Sequence, residues 1–133
     1  MTSKWLDPSL TLMAYRYKLC LTSEDFQAEM KRMKVKPENR PAFVPNAHSN
    51  ATTHFFAIEA SDGGLQHPVA LVCLKDSHAD PIVVAGLLVH EAVHIWQAHA
   101  RHIGSFNDHG DEEEAYAIQW IAQQLMWSCK EQT

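Results

Sequence analysis

The spacing of apolar residues changes period along the chain, and each change predicts an element. The first twenty residues mix aromatic and apolar positions (Trp5, Leu10, Leu12, Met13, Tyr15, Tyr17, Leu19) in no single period. From Thr22 the pattern sharpens. Thr22 followed by Asp25 is a helix-start capping arrangement, and Phe26, Met30 and Met33 then recur at i, i+4 and i+7, one face of an amphipathic helix. The N-terminal region is accordingly expected to be helical. Pro37, Pro41 and Pro45 close that helix and predict a loop over residues 37–51. Residues 52–60 (TTHFFAIEA) and 68–75 (PVALVCLK) read as strands around the turn sequence Ser61-Asp62-Gly63-Gly64, which predicts an antiparallel hairpin with 68–75 as an edge strand.

Asp80 before Pro81 combines a side-chain cap with proline at the first helical position, and Gly104 supplies a stop, so a helix is predicted over 81–102. After the polar stretch 105–110, Asp111 can cap a last helix that runs to about Cys129, with Ala115, Ile118, Ala122, Leu125 and Cys129 as its apolar stripe. No repeat, low-complexity tract or linker divides the chain. The prediction is one domain over residues 1–133, of class α+β. It has a small antiparallel sheet and a central helix packed on a C-terminal helix.

Composition narrows the function classes. The chain has 133 residues, 46 % hydrophobic and 20 % charged, with a formal net charge of −5. Lys31, Arg32, Lys34 and Lys36 cluster, but Glu24, Asp25, Glu29 and Glu38 flank them, which reads as a solvated helix face. The acidic whole would repel phosphate, so no nucleic-acid partner is expected. Cys20, Cys73 and Cys129 are odd in number and far apart, which argues for buried free thiols in a reducing compartment. The start of the chain has no signal-type apolar run, and nothing approaches the ~18 apolar residues of a membrane helix, so a cytoplasmic protein without membrane association is expected. Asn50-Ala51-Thr52 matches a glycosylation pattern, but with no secretory signal to support its use.

Six of the nine histidines (His78, His90, His94, His99, His102, His109) fall in one stretch. Two of them sit in Leu88-Val89-His90-Glu91-Ala92-Val93-His94-Ile95-Trp96-Gln97, an H-E-x-x-H pattern on a predicted helix. Residues four apart share a helix face, so both imidazoles can reach one ion. Glu91 is rotated away from ligation but beside the ion, where it can take a proton from an activated water and pass it to a leaving amine. The apolar frame of Leu87, Leu88, Val89, Val93 and Ile95 predicts that the helix is buried and that its histidines need a shared partner. The third ligand is less determined. Ala100 and Gln97 stand where the metzincin pattern needs histidine and glycine, so that family is excluded. His99 and His102 continue the same straight helix and are expected to be exposed. Glu112, Glu113, Glu114 and His109 remain.

The pairing of HEAVHIWQ with the downstream run Glu112-Glu113-Glu114-Ala115-Tyr116-Ala117-Ile118-Gln119 resembles the gluzincins, in which a glutamate on a second helix completes a zinc site. More closely it resembles small phage- and prophage-encoded minigluzincin-like metallopeptidases, over roughly residues 68–123. The resemblance implies a zincin-like fold with an active-site helix packed on a ligand helix, a Zn2+ cofactor, and hydrolysis of peptide or protein substrates with Glu91 as general base. In the family pattern E-x-x-A-[DN] the first glutamate is the ligand. That maps to Glu112, with Ala115 matching and Tyr116 departing from the usual Asp or Asn. Helical angle favours Glu114 instead, since it lies nearer the apolar stripe, and Asp111 with Glu114 also makes a capping box. His109-Gly110 is similar to Spartan-type proteases and keeps His109 open. A second reading is a protease-like module that holds zinc and acts in protein binding without cleaving. A third is a structural protein whose histidines only order a small core. Tyr116 reads as a buried structural residue, with an oxyanion donor as the alternative. Trp120 and Trp127, one heptad apart and off the main stripe, suggest a homo-oligomer contact.

Overall fold

A computed structural model describes residues 5–6, 15–59, 66–103 and 111–133. The elements in order are β1 (Trp5–Leu6), β2 (Arg16–Cys20), α1 (Ser23–Arg32), a 3-10 turn at Pro37–Asn39, β3 (Ala51–Glu59), β4 (Gln66–Leu74), α2 (Pro81–Ile103) and α3 (Asp111–Gln132). The α+β class stands. The turn 61–64 and the helix stop at Gly104 lie outside the described residues, but the hairpin on either side of 61–64 is present, with Thr53 opposite Val72 and Phe55 opposite Ala70.

The N-terminal region is not helical from its start. The unperiodic first segment supplies β2, which pairs in parallel with β4, and the two-residue β1 adds antiparallel to β2. The sheet is therefore mixed rather than antiparallel, in the order β1-β2-β4-β3. This moves β4 from the edge to the interior. The physical reason was visible in PVALVCL. A strand covered on both faces needs no polar alternation, and Val69 through Leu74 are all fully buried. The outer edge on that side belongs to β3.

Helices cover both faces. On one, Phe26 and Met30 of α1 pack on Cys20, Val69, Leu71 and Cys73, with Phe43, Val44 and Phe56 closing the rim. On the other, Leu88, Ala92, Ile95 and Trp96 of α2 and Ala117, Ile121 and Leu125 of α3 pack on Tyr17, Leu19, Ala70, Val72 and Leu74. The Tyr17 hydroxyl donates to Gln124 Oε1 across this layer. The stripe of α3 is turned from the predicted one, for Ala115 is exposed and Ala117 and Ile121 are buried in its place. Tyr116 is exposed, not buried. Trp127 is exposed and Trp120 half-buried, their rings 6.0 Å apart and nearly perpendicular.

The helix starts follow their caps. Thr22 Oγ1 accepts from the Asp25 backbone N–H, and Asp80 Oδ1 accepts from the Ile82 N–H. α1 ends with Lys34 in the left-handed region (φ 62°) and the Val35 N–H returning to the Met30 carbonyl, a C-cap more often built on glycine. By length and composition α2 could cross a membrane (Pro81–His102, mean hydropathy 1.2), which corrects the expectation that no segment comes close. Here it is an amphipathic helix with one face against the sheet and α3.

Candidate metal centre

The middle of α2 places His90 and His94 one turn apart on its exposed face. Their Nε2 atoms are 3.1 Å apart, with the rings 4.7 Å apart and close to perpendicular. Two metal–nitrogen bonds of ~2.0–2.1 Å at a tetrahedral angle would set their nitrogens roughly 3.3–3.4 Å apart, so the pair fits one ion with little movement. A ligating atom of Glu91 joins them, all three within 4.8 Å of one another. Among the described residues this group can hold a metal ion.

The burial of the three residues inverts the expectation. The helix was expected to bury the histidines, but they are exposed while Glu91 between them is 3 % exposed. Glu91 points under the helix toward β3, where Thr53 faces it. Neither Glu91 Oε2 nor Thr53 Oγ1 has a hydrogen-bond partner of ordinary geometry among the described residues. Burial raises the Glu91 pKa above the ordinary carboxylate value. His94, His90 and the nearby Thr53 hydroxyl oppose that rise without cancelling it. A carboxylate left short of partners in a water-poor site is expensive, and such groups concentrate where chemistry needs them.

A groove of about 420 Å³ opens beside the pair. Val83, Gly86 and Leu87 of α2 form one wall, His48, Ser49, Asn50 and Ala51 the other, and His90 and Glu91 the end. The His48 N–H is held by Asn46 Oδ1, which fixes the turn that leads into β3. No sequence signal marks His48 or Thr53, because their nearness to the motif arises from packing between distant elements; Gly86 is one turn before His90 on the same helix, and only the open space beside it depends on that packing.

The other candidates are placed differently. Val84, Ala85 and Leu88 share a cavity with Met126, Cys129 and Thr133, so α2 and α3 run antiparallel and the start of α3 lies beside the end of α2. Glu112 and Glu113 are exposed on that first turn, Glu114 is half-buried there, and none belongs to the three-residue cluster. His109 lies outside the described residues. His99, expected to be exposed, is buried and packs on Trp96 with ring centroids 5.4 Å apart. His102 is exposed and meets Tyr15 edge-on. The three cysteines are free and buried. Burial pushes the Cys20 thiol up to about 12 and raises Cys73 and Cys129 as well, so none is a thiolate nucleophile or ligand at neutral pH. No protein-family description, curated protein or solved structure matches the chain.

Proposed function

We propose that this chain is a zinc-dependent peptidase in which His90 and His94 hold the ion and Glu91 moves the proton. The observation that carries this reading is the buried Glu91 carboxylate, with an unpartnered oxygen, beside two exposed imidazoles spaced for one ion. A purely structural pair of histidines gives no reason to bury an unsatisfied carboxylate next to them. Imidazole and carboxylate donors accept several divalent metals, and zinc is the one suited to hydrolysis with an open coordination position. When bound, it would polarise the scissile carbonyl and make water easier to deprotonate.

The remaining chemistry belongs to the chain. Glu91 takes a proton from the attacking water as its oxygen bonds to the carbonyl carbon. The same carboxyl then delivers that proton to the departing amine nitrogen as the C–N bond breaks. The Glu91 carboxyl is only 3 % exposed, which keeps bulk water from taking the proton between the two transfers. An extended substrate can add as a strand to the outer edge of β3, which borders the motif through Thr53 and, among the described strands, is the edge that β4 is not. The third protein donor is Glu112 by the gluzincin resemblance. To serve, the first turn of α3 must approach the middle of α2.

Cleavage of a diverse peptide library by zinc-loaded protein, with Glu91→Gln as control, tests the reading. Cleavage by the wild type and none by the variant, at equal zinc content, is expected. Absence of cleavage by both with zinc bound would move the protein to the binding-module class. Metal content unchanged by His90→Ala with His94→Ala would remove the metal site itself.

A further inference from the structure

Gly86 stands in the interior of α2, where glycine costs about 1 kcal/mol relative to alanine. Nothing among the described residues requires it. A Cβ built there meets no atom within 4 Å, and the backbone is not in the left-handed region. Gly86 lies one turn before His90 on the same face and lines the groove that ends at His90 and Glu91. The missing side chain therefore enlarges a space that leads to the metal pair and serves no packing role.

The lining indicates what fits there. Val83, Leu87 and Ala51 offer apolar wall, and His48, Ser49 and Asn50 make a polar rim. Apart from Glu91 the lining holds no Asp, Glu, Lys or Arg among the described residues, so a charged side chain would lose hydration there without gaining a counter-charge. The buried, unpartnered Glu91 oxygen at the end of the groove ties the space to the reacting centre.

We infer that this groove is the subsite for one aliphatic side chain of the bound peptide, and that Gly86 determines the size of side chain it admits. The inference rests on the metallopeptidase reading above. A peptide carbonyl placed at the ion, with its adjacent side chain laid over Gly86, uses the apolar wall for affinity and leaves the rim to its backbone.

The test uses two hydroxamates on zinc-loaded protein, followed by calorimetry. Acetohydroxamic acid can chelate the ion but carries no side chain to fill the groove. Isovalerohydroxamic acid chelates in the same way and adds an isobutyl group. The second should bind roughly 10-fold tighter, the gain expected from half-burying that group. Gly86→Leu should erase the gain and leave acetohydroxamate binding and zinc content as in the wild type. Gly86→Ala should raise the thermal midpoint, because it improves helix propensity without a clash, and should reduce the gain partially. Equal affinity for both hydroxamates, or a gain that survives Gly86→Leu, overturns the subsite and leaves the metal reading standing. Failure of both hydroxamates to bind, or zinc retained after loss of His90 and His94, overturns the metal reading and the subsite with it.

Discussion

On the α1 side of the sheet, Glu29 is 8 % exposed, and on the α2 side Glu91 is 3 % exposed. The two carboxylates are buried to a similar degree and treated in opposite ways. Glu29 accepts from Lys18 Nζ at 2.7 Å and from Arg32 at 2.7 and 3.2 Å. Burial pushes its pKa up, but the hydrogen bonds and charges of Arg32 and Lys18 outweigh that and hold it below the ordinary value. Among the described residues Glu91 has only the two histidines and the Thr53 hydroxyl to oppose its burial, and its pKa stays raised. Full pairing marks Glu29 as part of the architecture. The incomplete shell of Glu91 leaves room for a proton, a water or a substrate atom.

The largest test of this contrast is kinetic. Glu91→Gln in zinc-loaded protein should lower peptide hydrolysis on the order of 10²- to 10⁴-fold while zinc stoichiometry stays at the wild-type level. Elemental analysis and initial rates on the same preparation check it, and a variant that loses its zinc would make Glu91 a ligand instead.

Next in size is the structural carboxylate. Glu29→Gln leaves Lys18, itself 4 % exposed, without its closest partner. Removing one member of a buried pair costs about 3–5 kcal/mol, and the lower end is expected because Asp25 remains 3.6 Å from Lys18. Urea unfolding measures it. A change under ~1 kcal/mol would place this pair with surface ion pairs.

The opposite sign is expected for Glu91→Gln in metal-free protein. Replacing a buried, incompletely partnered carboxylate by a neutral amide should raise stability by about 1 kcal/mol, the pattern of a site that trades stability for chemistry. A loss of stability in the same urea titration would show that Glu91 is structural after all.

The smallest effect is in acid. A carboxyl whose folded pKa lies below its unfolded value of ~4.3 contributes stability that is complete above that pH and lost as pH falls through the folded pKa. Glu29 is such a group. Wild-type stability should therefore fall below about pH 4 more steeply than that of Glu29→Gln, which has already lost the contribution at neutral pH. Parallel acid limbs in thermal melts of the two proteins would contradict the assignment.

Much of this was legible in the residues. The caps at Thr22 and Asp80, the α1 stripe and the 81–102 helix follow from local rules, since a helix start and an i, i+4 face depend on neighbours in sequence. So does the spacing of His90 and His94. The errors were non-local. β2 could not be assigned because its partner, β4, lies about fifty residues away, and Lys18 in its midst reads as a surface residue until Glu29 is set beside it. His99 looked exposed until Trp96 and the rest of the core closed over it.

By itself the sequence determined the α+β class, the long central helix and the presence of two imidazoles on one of its faces. Only the tertiary structure decided that β4 is an inner strand and β3 an edge strand of the described sheet, that Glu91 is buried while His90 and His94 are exposed, and that Gly86 faces an open groove. The physical reason is the same in each case. Periodicity records which side of an element is apolar, whereas desolvation of a carboxylate and the space beside a glycine depend on which other elements arrive there.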